Sequence, residues 1–99
     1  MIRLGIDIVD IARLADRMQT WPKLADRMFT KAEQEYCLSR PHPAQHFAAR
    51  AAAKEATFNA LGEGWPLVSW VDVEVVSGAD RGRPTLVLTG HAAELAGSS

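Results

Sequence analysis

The sequence has little cysteine, few aromatic residues and no long apolar run. One cysteine and 7% aromatic side chains occur among 99 residues. A single cysteine, Cys37, cannot form a disulfide within the chain, and the cysteine and histidine residues do not have the spacing of a zinc site. No segment approaches the roughly twenty apolar residues of a membrane span. We therefore expect a soluble protein without a targeting segment, in a reducing cytoplasm.

The charge of the chain is balanced. Eleven lysines and arginines oppose twelve aspartates and glutamates, which gives a net charge of -1. A nucleic-acid-binding or polybasic membrane-binding protein carries a clear basic excess, so both classes are excluded. Hydrophobic residues at 47% and charged residues at 23% are typical of a folded domain. We expect one domain over residues 1–99, with any electrostatic recognition confined to local patches.

Alternating apolar residues predict strands at both ends of the chain. The alternation over residues 2–9 predicts a strand with Asp7 on the face opposite the apolar side chains. A second alternation in residues 71–75 predicts another strand, and residues 84–88 predict a third. Residues 77–83 are rich in turn formers, so the last two strands should form an antiparallel hairpin.

The residues between these strands have helical patterns. Asp10 is a plausible N-cap for a helix whose apolar residues recur at helical spacing. A short helical segment follows at residues 23–28. Thr30 and Glu33 have the spacing of a capping box, which predicts the start of another helix. Residues 91–96 predict a short terminal helix.

The longest helical signal runs from Pro43 to Leu61. Proline suits its first turn, alanine is abundant within it, and Gly62 can adopt the left-handed conformation that ends a helix. The order of elements predicts an α+β fold in which an antiparallel sheet packs on this long central helix.

Three charged residues of the central helix are candidates for chemistry. Arg50 and Lys54 are four residues apart and share a face, and Glu55 lies one position round, so we expect them to converge. Fixed cations bind phosphates, and a carboxylate can bind a magnesium ion that keeps water and phosphate as its other ligands. The alternative is an ordinary solvated helix face, on which such spacings are common.

Several motifs occur together and in order. They are Gly5-Ile6-Asp7-Ile8-Val9, Ile11-Ala12-Arg13-Leu14, Arg27-Met28-Phe29-Thr30 with Glu33, Phe47-Ala48-Ala49-Arg50, Ala52-Ala53-Lys54-Glu55-Ala56 and Ala60-Leu61-Gly62-Glu63-Gly64. In combination these segments resemble the holo-acyl-carrier-protein synthases, the small 4′-phosphopantetheinyl transferases.

The resemblance implies an enzyme that transfers phosphopantetheine from coenzyme A to a serine of an acyl carrier protein, or of a carrier domain, and releases adenosine 3′,5′-bisphosphate. It implies that Asp7 and Glu55 hold Mg²⁺, and that Lys54 and Arg50 contact the phosphates. Lys54 would stabilise or protonate the leaving oxygen. The serine proton would go either to Glu55 or to a metal-associated water, and the sequence leaves both open.

The resemblance also implies partners and further contacts. Asn59, Gly62 and Gly64 would contribute to the coenzyme A site. Arg13 and Arg17 would dock the acidic recognition helix of the carrier protein. The implied assembly is a homotrimer with active sites between subunits, which suits a chain with a modest core.

The chain departs from the family pattern in two ways that bear on function. Asn59 stands where family members usually have a lysine, which weakens or replaces one phosphate contact. The family's C-terminal strand, which lines the coenzyme A site, has no counterpart in residues 1–99. The chain is then a fragment, a protein completed by a neighbouring molecule, or a degenerate relative. The second hypothesis for function is accordingly a relative that binds carrier protein without efficient catalysis.

Overall fold

The computed structural model describes residues 8–62, 69–77 and 84–97. These residues form helices and a small antiparallel sheet, so the α+β prediction is confirmed. In chain order the elements are α1 (Ile8–Thr20), α2 (Lys23–Met28), α3 (Lys31–Leu38), α4 (Pro43–Leu61), a 3₁₀ helix (Trp70–Asp72), β1 (Val73–Ser77), β2 (Pro84–Leu88) and α5 (Gly90–Gly97).

The first predicted strand is only partly described. Residues 1–7, including Asp7, lie outside the described residues. Ile8 and Val9 form the start of α1, so the prediction of a strand is wrong at these two positions. Asp10 lies within the first helical turn, where the positive end of the helix dipole stabilises its carboxylate. The helix therefore begins before Asp10, which is not its N-cap.

The predicted capping box is present at the start of α3. The Thr30 side chain accepts a hydrogen bond from the Glu33 amide, and the Thr30 amide donates to Glu33 Oε1 at 2.8 Å. The bounds predicted for α4 are also confirmed, because Pro43 occupies its first turn and Gly62 ends it with φ 74°. Local sequence chemistry fixes these helix ends.

Among the described residues, two apolar clusters form most of the core. Phe47, near the start of α4, packs with Met28, Phe29 and Cys37. Phe58, near the end of α4, belongs to a second cluster, whose other buried members are Val73 and Ala92. The Cys37 side chain is fully buried, and burial raises the pKa of its thiol. Helix α4 thus links the two clusters.

The predicted hairpin is confirmed with a shorter first strand. Strand β1 pairs antiparallel with β2 in a register from Val73 opposite Leu88 to Ser77 opposite Pro84. Val71 lies in the 3₁₀ helix instead of the strand, because the Asp72 amide donates to the Ser69 carbonyl at 3.0 Å and tightens the backbone there. None of the described helices is long and apolar enough to cross a membrane.

A buried ion pair joins the hairpin to the helices. Lys54 Nζ of α4 lies 2.8 Å from Glu33 Oε1 of α3, and both side chains are inaccessible to solvent. The same ammonium group donates to the carbonyl oxygens of Trp70 at 2.9 Å and Val73 at 2.5 Å. Glu33 Oε2 accepts from the Val75 amide at 2.8 Å. All three N–H bonds of the ammonium group are therefore used inside the protein.

Replacing Lys54 with methionine should destabilise the fold strongly. The substitution leaves the Glu33 carboxylate buried without its counter-ion, so we expect the free energy of unfolding to fall by about 3–5 kcal/mol. Urea denaturation followed by circular dichroism measures this change. The matched control is Lys31→Met at the exposed start of α3, which should stay within about 0.5 kcal/mol. Similar losses in both variants would contradict the structural importance of the pair.

A side chain at Gly90 should be unfavourable. Its φ is 56°, and a Cβ there would lie 2.9 Å from the Asp72 carboxylate oxygens. Because both the backbone and the contact are unfavourable, Gly90→Ala should lower the free energy of unfolding by about 1–3 kcal/mol. Gly97→Ala is the control, since a Cβ there meets no atom within 4 Å. Equal thermal denaturation midpoints for the two variants would refute this reasoning.

Candidate active-site groove on the central helix

A groove of about 500 Å³ runs between α1, α2 and α4. It exists because α4 presents small side chains to α1, which leaves space that larger residues would fill. Alanines 48, 51 and 52 form this part of its wall. Apolar surface is added to the lining by larger side chains, which are Trp21, Leu24, Met28 and Trp70.

Charged side chains surround the groove. Arg13 and Arg17 of α1 are one helical turn apart and both line it, together with Arg27 of α2. The acidic residues of the lining are Asp10 and Glu55. No ion pair joins any of these five side chains to another residue in the part of the chain that the structure describes. Among the described residues, these charges are therefore not neutralised by an ion pair.

Glu55 is the predicted metal ligand that the structure does describe. It is exposed on α4 and lines the groove, and no hydrogen bond or ion pair among the described residues uses its carboxylate. An uncommitted carboxylate with room for water fits Mg²⁺, which binds hard oxygen ligands and retains several waters. Among the described residues there is no group of three metal-binding side chains. Asp7, the other predicted ligand, lies outside them.

Arg50 and Lys54 face away from Glu55. The Lys54 ammonium group is directed at Glu33 and the β1 backbone, and burial lowers its pKa against the opposing effect of Glu33. Arg50 donates to Ser77 Oγ at the end of β1 at 2.5 Å. The expected convergence of the three charged side chains is therefore wrong, because Glu55 is five positions after Arg50 and so lies about 140° from it around the helix.

The solvated-face alternative is right for only one of the three residues. Glu55 is exposed, but Arg50 is 5% exposed and Lys54 is fully buried. The predicted contact of Lys54 with a leaving oxygen stays a prediction, and in this conformation its N–H bonds are already occupied by protein oxygens.

The remaining predicted contacts lie at the end of α4 and on α1. Asn59 is exposed, and its carbonyl oxygen accepts a hydrogen bond from the Gly62 amide at 3.2 Å. Gly62 is exposed after the last turn. Gly64 lies outside the described residues. Arg13 and Arg17 are exposed at the groove, as a docking surface requires.

Two residues near the site were missed by sequence reasoning. The sequence places Glu33 in the capping box and in a family motif, and the structure adds that it is the counter-ion of Lys54. The sequence assigns Tyr36 no role at the site, yet Arg50 lies over its ring at 4.4 Å. Neither contact has a local signal, because Glu33 and Lys54 are brought together only when α3 packs on α4.

Comparison with known proteins identifies the family. The sequence model of the 4′-phosphopantetheinyl transferase superfamily matches residues 3–98. A holo-[acyl-carrier-protein] synthase of Moorella thermoacetica is 45% identical over 96 residues, covering 97% of this chain and 74% of the relative. Proteins of the same name from Gloeobacter violaceus and Geotalea daltonii are 46% and 49% identical, covering 91% and 92% of this chain and 69% and 74% of the relatives. The chain therefore belongs to the 4′-phosphopantetheinyl transferase superfamily.

Proposed function

We propose that this protein transfers 4′-phosphopantetheine from coenzyme A to a serine of an apo acyl carrier protein, or of a carrier domain. The observation that carries the proposal is the groove that Glu55 of α4 and the arginines of α1 line together, with none of them in an ion pair within the described part of the chain. An acidic protein substrate and a metal-bound phosphate donor both fit that combination. The names of the relatives support the same acceptor.

The proposed chemistry is a phosphoryl transfer. The serine oxygen forms a bond to the phosphorus that carries pantetheine, and the bond from that phosphorus to the bridging oxygen of the pyrophosphate breaks. Its electron pair leaves with adenosine 3′,5′-bisphosphate, and the serine proton passes to Glu55 or to water. Mg²⁺, held by Glu55 and Asp7, would neutralise charge on the pyrophosphate. The exposure of Glu55 supports this role.

Docking of the carrier is assigned to Arg13 and Arg17. Both are exposed on one face of α1, and neither is neutralised by an ion pair in the described structure. Opposite charge on the partner speeds encounter and fixes orientation. Because Glu55 lines the same groove, a carrier docked on α1 would bring its serine close to the proposed metal ligand.

Assembly as a homotrimer is part of the proposal. Apolar side chains on the hairpin remain exposed in the single chain: Val76 at 39%, Leu86 at 46% and Val87 at 41%. Within the described residues, β2 pairs only with β1. An apolar strand with an open edge favours association with another chain. This surface supports subunit contact through the hairpin.

Incubation with apo carrier protein, coenzyme A and Mg²⁺ tests the activity. Intact-mass spectrometry should show the carrier gaining one phosphopantetheine group, and a chelator should prevent the gain. Asp7→Ala and Glu55→Ala should each slow the transfer by at least about 100-fold, because several kcal/mol of transition-state stabilisation would be lost.

The matched control is Glu35→Ala, which removes an exposed carboxylate from α3. It should transfer at the unsubstituted rate. Rapid transfer by Asp7→Ala or by Glu55→Ala would overturn the assignment of these two residues as metal ligands. A folded protein that binds carrier without any mass gain would instead favour a binding relative without efficient catalysis.

Charge reversal at Arg13 tests the docking surface. Arg13→Glu should raise the KM for carrier protein by about 10-fold, since it replaces an attraction with a repulsion, and should leave the KM for coenzyme A unchanged. Lys23→Glu makes the same charge change at an exposed position outside the groove. If both variants show the same carrier dependence, Arg13 does not dock the carrier.

A further inference from the structure

Helix α2 forms one wall of the groove and is short. It has six residues, from Lys23 to Met28, whereas isolated helices of fewer than about 12–15 residues are marginal in water. Pro22, at its start, makes no side-chain capping hydrogen bond. Contacts with other elements therefore decide how this helix lies and where its exposed side chains point.

One side chain of α3 holds the end of α2. The Gln34 side-chain nitrogen, Nε2, donates hydrogen bonds to the carbonyl oxygens of Ala25 at 3.3 Å and Phe29 at 3.1 Å. A third acceptor is Oδ1 of the Asp26 carboxylate, at 3.1 Å. Carbonyl groups at the end of a helix lack partners within it, so an outside donor stabilises that end. Gln34 supplies this donor to α2.

Gln34 itself belongs to a firmly held element. Helix α3 begins with the capping box of Thr30 and Glu33, and Glu33 is the buried counter-ion of Lys54. Gln34 follows Glu33 directly and is half-buried, so its backbone is fixed with the first turn of α3. Its three hydrogen bonds therefore fix the last turn of α2 relative to α3.

Arg27 lies in the turn that Gln34 holds. It is exposed, lines the groove and forms no ion pair in the part of the chain that the structure describes. Its guanidinium carbon lies 5.8 Å from the ring centre of Trp21, which also lines the groove. Asp26 and Arg27 are about 100° apart around the helix. Gln34 thus holds the Asp26 carboxylate on the side of α3, while Arg27 lines the groove.

Apolar packing alone leaves the direction of Arg27 less defined. Met28 and Phe29 are buried in the core, so the end of α2 stays attached without Gln34. Apolar contacts are non-directional, whereas hydrogen bonds restrict both distance and angle. Loss of the Gln34 hydrogen bonds should therefore leave the fold intact and allow the last turn of α2, with Arg27, to shift.

We propose that Gln34 is a positioning residue for carrier binding, which acts through Arg27 by fixing the last turn of α2. The inference rests on the proposed function, in which an acidic carrier docks at Arg13 and Arg17. Arg27 lines the same groove as these two arginines, so its charge continues the docking surface onto α2. A cation at an interface aids recognition when its position matches the partner's carboxylates.

Calorimetric titration of the full chain with apo carrier protein, together with steady-state transfer kinetics, tests this role. Arg27→Gln removes the charge and should raise the Kd for carrier by about 5-fold, the upper effect of one exposed ion pair. Gln34→Met suits a helix but removes the donors, and should raise both the Kd and the KM for carrier by about 3-fold. In Gln34→Met, kcat and the KM for coenzyme A should not change.

The double variant identifies how Gln34 acts. If Gln34 works through Arg27, adding Gln34→Met to Arg27→Gln should leave the Kd at about 5-fold, whereas independent effects would multiply to about 15-fold. The matched control is Gln45→Met, the same substitution at an exposed position of α4 outside the groove. It should change neither the Kd nor the KM for carrier.

Three results would overturn the inference. An unchanged Kd in Gln34→Met would show that its hydrogen bonds do not position the docking surface. Multiplied effects in the double variant would show that Gln34 does not act through Arg27. Loss of the native circular dichroism spectrum in Gln34→Met would make the residue structural.

Binding and transfer are measured separately, so failure of the proposed function is recognisable. A chain that binds carrier, loses affinity in Gln34→Met and transfers no phosphopantetheine would refute the transfer reaction and support the role of Gln34. Normal transfer with an unchanged Kd in Gln34→Met would do the reverse. If the unsubstituted protein binds no carrier, the inference is overturned, because Arg27 then has no acidic carrier to bind.

Discussion

The arrangement of the helices around the hairpin depends on one buried ammonium group. Lys54 binds the Glu33 carboxylate and the carbonyl oxygens of Trp70 and Val73. One side chain therefore connects α3, α4 and the hairpin. Glu33 contributes a second link through the Val75 amide. Charges this deeply buried are tolerated only when every donor is satisfied. The interaction therefore specifies where the strand begins as much as it holds the elements together.

Because Lys54 is fixed by this interaction, the two sides of α4 make different contacts. One side contacts α3 and β1 through Arg50 and Lys54, and the other presents alanines and Glu55 to the groove beside α1. Because successive residues of a helix point in different directions around its axis, charged residues that are close in sequence lie on both sides of α4.

Local chemistry made much of the fold predictable. The capping box at Thr30, the proline at the first turn of α4 and the left-handed Gly62 act through neighbouring residues, and each element end they predicted is present. Prediction failed where distant contacts decide the backbone. Val71 continues an apolar alternation, yet it lies in a 3₁₀ helix beside the carbonyl groups that Lys54 binds. A separate difference is that helix α1 begins at Ile8, inside the apolar alternation that predicted a strand.

The sequence by itself determined the family, the α+β class, the long central helix and the identity of the charged residues on it, because these depend on motif order and on periodicity. It did not determine which charges are free. Only the tertiary structure decided that Lys54 is committed to Glu33, that Glu55 is open to a ligand and that Arg50 joins Tyr36. The physical reason is that accessibility and pairing arise from packing between elements far apart in the chain, and residue type does not encode them.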